Sequence, residues 1–289
     1  MNRSLLIYTV SLLILFVTFT GCATENGNQL NSTWSEVQET GDGTITLHYV
    51  PSDGFSYSDE EGNLTGVTIE LMRDFVDFVR DEYEVNISIH FNPIDQFSEF
   101  YNTVKNGSGG EFGVANVTIT EERKNELAFS PPYMTNIATL ITHSEIDELT
   151  SFDDIPGKFE GLTALAFEGT LHEDRLNKIR ENYLPDAAME FAHSNNEIIE
   201  KTSLENRYFA YVDIYNYWRA SQGGAELRRH SAGDESSEQF GVIMPLDSDW
   251  HNIVEEFFDH EEGYLQSERY RELMETHLGS ELAALLLSQ

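Results

Sequence analysis

Apolar residues recur along this chain in two alternating rhythms, one with the period of a strand and one with the period of a helix. Thr44 to Val50 (TITLHYV) is rich in β-branched residues and predicts a strand, broken by Pro51-Ser52-Asp53-Gly54. Phe55 to Gly66 has hairpin character, with turn chemistry around Asp59 to Asn63. From Val67 to Tyr83 the apolar positions Ile69, Leu71, Met72, Phe75, Val76 and Val79 fall at helical spacing. Val85 to Phe91 alternates as a strand, Phe97 to Val104 predicts a short helix ended by KNGSGG, and Phe112 to Ile119 predicts a further strand. A second alternating stretch follows SPPYM. It has strands at Thr139–Thr142, Leu162–Phe167, Ala188–Ala192 and Tyr208–Val212, and helices at Leu171–Asn182, Asn196–Glu205 and Ile214–Gln222. GDESSEQ (233–239) reads as a loop before a last strand, Phe240–Met244, and from Asp249 onward the pattern is helical. Strands alternating with helices favour a layered α/β sheet.

The amino terminus departs from both rhythms. Arg3 precedes a mainly apolar run from Leu5 to Phe19, which is short for a membrane-spanning helix, and Thr20 and Gly21 then lead to Cys22. This is the anatomy of a secretory signal. The ending FTGC resembles the bacterial lipobox, whose cysteine is acylated after cleavage, although Phe19 stands where Leu is usual. The expectation is a lipoprotein signal peptide over 1–21, lipidation at Cys22 and a flexible, polar tether over 22–43.

Composition narrows the function. The 289 residues carry 51 Asp and Glu against 17 Lys and Arg, a net charge of −34. Such a chain repels phosphate backbones, so nucleic acid is excluded as a partner. The acid reads as a solubilising surface and, more sharply, as an adaptation to high salt, where counterions screen self-repulsion. Cys22 is the only cysteine, so neither an intramolecular disulfide nor a cysteine-cluster metal site is expected. The nine His show no H-x-x-x-H or H-x-H spacing. No cofactor motif is present: neither a phosphate-binding G-x-x-x-x-G-K loop nor a G-x-S-x-G turn occurs.

Five segments, in order, resemble the bacterial extracellular solute-binding proteins of family 3. VTITEERKNELAFSPPYM (117–134) is similar to the family signature, and GFSYSDEEGNLTGVTIEL (54–71) to its beginning. FEGTLHEDRL (167–176) resembles the second-lobe Gly-Thr turn, and YFAYVDIYNYW (208–218) the strand whose final Asp opens a helix. FGVIMP (240–245) with EGYLQSERYRELMETHLG (262–279) resembles the return strand and closing helices. The resemblance spans about Ile45 to Gly279. It implies a two-lobed periplasmic-binding-protein fold of type II, with two crossover strands and an interlobe cleft. Lobe 1 is then 44–135 with 238–289, lobe 2 is 136–237, and the crossings fall near 133–137 and 239–242. It also implies a small-molecule ligand, an amino acid, delivered to an ABC permease and ATPase from the cell envelope, where only the lipid anchor meets the membrane.

A zwitterion in a dry cleft needs a fixed cation and a fixed anion, or both of its charges lose solvation without compensation. The matched motifs place Arg123 on the carboxylate, where its planar fork suits two oxygens; the alternative is a surface Arg paired with Glu121, Glu122 or Glu126. Thr118 and the backbone around Asn116 would join it. Asp213 would hold the ammonium, in a position that also suits a helix N-cap. Thr170 would turn a hydroxyl or an N–H toward the carboxylate, Phe97 would pack on the ligand side chain, and Phe167 and Phe55 would line the cleft or the core. Thr120 reads as the cap of the turn that carries Arg123. Two positions depart from the family: Ser52 replaces an aromatic, and Leu171 replaces a hydroxylic residue. The side-chain pocket therefore differs from those of the best-known basic and glutamine binders. On the same scaffold, a dehydratase-like enzyme would need a cleft acid such as Glu168 or Glu173, and a sensor ectodomain would need a separate partner protein.

Overall fold

The computed structural model describes residues 30–287, so the expected signal peptide, Cys22 and the first part of the tether lie outside the described residues. The rest of that tether is corrected. Helix α1 (Trp34–Thr40) is built on a capping box: Thr33 Oγ1 accepts from the Glu36 N–H and Glu36 Oε2 accepts from the Thr33 N–H. Gly41, in the left-handed region at φ 80°, ends the helix. The Asp249 carboxylate accepts the N–H groups of Trp34 and Ser35, and Trp34 and Val37 are buried. Polar composition here reflects caps and an exposed helix face, and two apolar side chains suffice to dock the segment.

The first alternating stretch follows as expected. Strand β1 (Asp42–Tyr49) leads to the hairpin β2 (Tyr57–Ser58) and β3 (Leu64–Thr65), then to α2 (Val67–Tyr83), β4 (Asn86–Pro93), α3 (Phe97–Lys105) and β5 (Glu111–Thr118). Gly66 starts α2 at φ 121°; a Cβ there would lie 2.4 Å from the Phe55 carbonyl, so only glycine fits. A 3₁₀ turn at Arg123–Asn125 precedes β6 (Leu127–Phe129) and the long β7 (Met134–His143). The second stretch runs through α4 (Ile155–Lys158), β8 (Thr163–Phe167), α5 (Leu171–Tyr183), β9 (Met189–Ala192), α6 (Asn195–Leu204), β10 (Tyr208–Asp213) and α7 (Ile214–Gln222) to β11 (Leu227–Pro245). Helices α8 (His251–Asp259), α9 (Glu268–Leu278) and α10 (Ser280–Leu287) return to pack with α2 around Phe75, Trp250 and Met274.

The strand order is β4-β1-β5-β11-β7-β10-β8-β9, with β6 also on β11. Parallel pairs join β4, β1 and β5 at one end and β10, β8 and β9 at the other. Between them, β11 and β7 are antiparallel to each other and to the flanking strands β5 and β10. Two parallel α/β units tied by two long strands are the two-lobed architecture that the resemblance implies.

β11 corrects the expected loop over 233–239, which lies within this strand. The strand shifts register against β7 between His230 and Glu235. Its acids find partners there: Asp234 accepts from Thr139 Oγ1 and pairs with Arg229, and Glu235 and Glu238 pair with Arg175. Residues that favour a turn are thus held in a bulged strand by side-chain bonds. Among the described residues no helix is long and apolar enough to cross a membrane.

His230 on β11 is fully buried. Its Nδ1 accepts the Leu149 N–H at 3.1 Å, so the ring is neutral and Nε2–H donates to Thr142 Oγ1 at 2.8 Å. Burial, helped by Arg228 and Lys158, lowers its pKa to about 4. The unfolded chain therefore binds one more proton between pH 6.5 and 4. This group's stabilisation is complete above pH 6.5 and declines by about 1.4 kcal/mol per unit as pH falls toward 4. His230→Gln should remove that part of the slope in urea titrations between pH 6.5 and 5. Trp34→Ala should cost about 3–5 kcal/mol in the same assay; a loss under 1 kcal/mol would return α1 to the tether.

Candidate functional site

The carboxyl ends of β5, β8 and β10 and the amino ends of α5, α6 and α7 face one cleft between the two units, the usual place for a ligand in an open α/β sheet. Arg123, Thr118, Asn116, Phe97, Phe167, Thr170 and Asp213 all line it. The units meet across its mouth. Gln96 Nε2 lies 3.2 Å from His193 Nδ1, and Asn196 donates to Asp53 at 3.4 Å. A Cβ built on Gly169 (φ 77°) would lie 3.2 Å from Ser98 Cβ.

Arg123 starts the 3₁₀ turn after β5, and its N–H donates to Thr120 Oγ1, the expected cap. Its guanidinium donates to the Thr118 carbonyl at 3.1 Å and lies over the rings of Phe97 and Tyr101, 5.7 and 5.5 Å from their centroids. Burial lowers its pKa, against weaker attraction from Tyr101 and Glu238. No described carboxylate comes within 4 Å of it. The neighbouring acids serve other cations: Glu121 pairs with Lys124, and Glu126 with Lys105. The alternative of a surface Arg paired within its own turn is therefore not what the fold builds.

Asp213 ends β10 and precedes α7, but its side chain makes no cap bond. It is buried, and Oδ1 accepts from Asn136 Nδ2 at 2.7 Å and from His172 Nε2 at 3.2 Å. His172 Nδ1 faces Arg175 Nη1 at 3.2 Å; guanidinium only donates, so the imidazole is neutral with its proton on Nε2. Arg175 Nη2 donates to Glu238 Oε1, and Glu238 Oε2 accepts from Asn136 Nδ2 at 3.0 Å, which closes a ring of five side chains. Burial acts to lower the Arg175 pKa, but Glu238 and Glu235 outweigh it and the net shift is upward. No described residue donates to Asp213 Oδ2. The ring ties the two long strands, through Asn136 and Glu238, to the acid that faces the cleft.

The other expected residues divide. Thr118 supplies its carbonyl to Arg123. Asn116, at φ 52°, links Tyr133, whose hydroxyl it accepts at 2.8 Å, to the Tyr215 hydroxyl at 3.0 Å, which also meets Ser52 Oγ. Thr170 lines the cleft but departs from expectation in both groups: its hydroxyl and its N–H donate to the Phe167 carbonyl, at 2.8 and 3.3 Å, within its own turn. The N–H groups of Leu171 and His172, at the start of α5, have no described acceptor. Phe97 is 6% exposed and packs on Phe100, Phe167 and Arg123, so it supports the cation as well as lining the cleft. Phe55 is core, against Tyr215. Ser52, His172, Asn195, Tyr215 and Asn216 also line the cleft but carry no spacing that separates them from surface residues in the sequence. Glu168 and Glu173 do not line it; Glu173 accepts the Gly169 N–H. Among the described residues no group of three or more His, Cys, Asp and Glu could hold a metal ion.

The sequence pattern of the bacterial extracellular solute-binding proteins, family 3, matches residues 46–279, and the chain belongs to that family. It is 22% identical over 169 residues to a membrane-bound lytic murein transglycosylase F of Pseudomonas fluorescens (strain Pf0-1), covering 58% of this chain and 31% of that protein. The chain thus spans less than a third of the curated relatives it matches. Among solved structures it is similar to a chain from a study of glutathione import via GshT and the cystine ABC importer TcyBC of Streptococcus mutans, with TM-score 0.67, 20% identity and coverage of 82% and 95% of the two chains. The ancestral amino acid-binding protein AncCDT-1, a precursor of cyclohexadienyl dehydratase, is similar at TM-score 0.62 and 20% identity, with coverage of 84% and 98%. These likenesses show the two-lobed type II fold.

The buried guanidinium of Arg175 and the half-buried one of Arg123 should differ in their effect on stability in the ligand-free protein. Arg175→Met leaves Glu238 buried without its cation and should cost about 3–5 kcal/mol in urea unfolding. Arg123→Met strands no carboxylate and should change stability by no more than about 1 kcal/mol.

Proposed function

We propose that the cleft of this family 3 solute-binding protein captures a free α-amino acid, with the ligand carboxylate on Arg123 and its ammonium on Asp213 Oδ2. The observation that carries the reading is the contrast between the two guanidiniums. Arg175 is matched by Glu235 and Glu238, whereas Arg123 is desolvated, oriented by Thr118 and two aromatic rings, and matched by no described carboxylate. A half-buried cation packed under aromatic rings and left without an anion gains little in a structural role and is useful in a binding role. Opposite it, Asp213 has one oxygen held by Asn136 and His172 and the other left for a donor. The similarity to an ancestral amino acid-binding protein supports the same ligand frame.

In this reading lobe 1 is 44–135 with 238–289, extended by α1, and lobe 2 is 136–237. Ligand first meets Arg123 and Thr118 on lobe 1; lobe 2 then closes with Asp213 and the start of α5, through bending of β7 and β11. The closed form is presented to an ABC permease and ATPase, as the cystine importer named with one structural neighbour suggests. Acylation of Cys22 would hold the protein on the outer side of a membrane. Arg123→Ala should weaken binding of the preferred amino acid by about 10²- to 10³-fold in calorimetry; unchanged affinity would reject the assignment.

A further inference from the structure

We propose that the amino acid held here has an uncharged, hydrogen-bonding side chain, and that a carboxamide matches the pocket best. The proposal rests on the reading of the cleft as an α-amino-acid site and adds the chemistry of the remaining wall.

Charge comes first. Of the residues lining the cleft, only Arg123, Asp213 and His172 carry or readily take up charge. The first two are occupied by the ligand's own α-groups. His172 is held neutral, because its Nδ1 accepts from Arg175 and its Nε2–H is given to Asp213. Asp53, at the mouth, is already engaged by Asn196 and by Arg219. A lysine or arginine side chain would need a second carboxylate in the cleft, and a glutamate or aspartate side chain a second cation. Neither is provided, and a charge buried without a partner is strongly disfavoured.

The second observation is independent of charge. Asn195 Oδ1 and Asn216 Nδ2 are both buried, and neither has a hydrogen-bond partner among the described residues. Asn216 Nδ2 neighbours the Tyr215 hydroxyl, which is already shared by Ser52 and Asn116. Both residues line the same cleft, one at the start of α6 and the other in the first turn of α7. Buried polar atoms are nearly always satisfied, so an orphaned acceptor and an orphaned donor on residues lining one cleft point to a ligand group that both donates and accepts. A carboxamide does so with its NH₂ and its carbonyl. A hydroxyl does so less completely, and an apolar side chain would leave both atoms unmatched.

The test is calorimetry on the full-length protein, freed of carried-over ligand by unfolding and refolding, with glutamine, asparagine, serine, arginine, lysine, glutamate, aspartate and leucine. Glutamine or asparagine should bind at least about tenfold more tightly than any amino acid with a charged side chain or than leucine. Asn195→Leu and Asn216→Leu should each weaken the carboxamide ligand by about 3- to 10-fold, the scale of one neutral hydrogen bond, and narrow its margin over leucine. Asn195→Asp should move the preference toward lysine and arginine. A charged or apolar amino acid as the tightest ligand, still dependent on Arg123, would overturn this inference and leave the amino-acid reading standing. Binding of none of the eight would overturn both.

Discussion

The feature on which this protein's cleft depends is a half-buried guanidinium, Arg123, with no described carboxylate beside it. It lies between aromatic rings and a carbonyl. Arg175 shows the other solution: two carboxylates, a histidine and a closed ring of hydrogen bonds. The chain has acid in large excess, so a guanidinium in the cleft without a carboxylate is not for want of carboxylates; Arg180 and Arg228, also without one among the described residues, are engaged by carbonyls and an amide away from the cleft. In the proposed function, the free cation of Arg123 is kept for the carboxylate of a ligand.

The long antiparallel strands explain how the two halves of such a site are held together. β5 ends at Thr118, just before Arg123, and pairs with β11; β10 ends at Asp213 and pairs with β7. β11 and β7 pair with each other, so cation and anion stand on opposite sides of a shared pair of strands. Asn136 and Glu238 lie on those two strands and belong to the ring that fixes Asp213. In the proposed closure, bending of these strands would therefore act on the orientation of the acid.

Much of this was legible in the sequence, for identifiable reasons. Helix α2 and helix α7 match the expected boundaries because an apolar face and clear stop residues act locally. Arg123 and Asp213 were legible because motifs tie them to strand ends. α1 was read as tether because seven residues with two buried side chains give too little periodicity, although Thr33, Glu36 and Gly41 spell a capping box and a stop. The strand over 233–239 was hidden because its acids are satisfied by Arg175, Arg229 and Thr139, partners distant in sequence. For the same reason His172, Arg175, Asn136 and Glu238 could not be assembled from spacing. The Thr170 hydroxyl was misplaced because a turn offers its own carbonyl as the nearer acceptor.

The most direct test is a crystal structure of the protein with the small molecule it retains through purification. The account predicts a zwitterion between the lobes, its carboxylate within hydrogen-bond distance of the Arg123 guanidinium and its ammonium at Asp213 Oδ2. A retained ligand without an α-carboxylate, or one whose carboxylate lies elsewhere while Arg123 pairs with a protein acid, would contradict it.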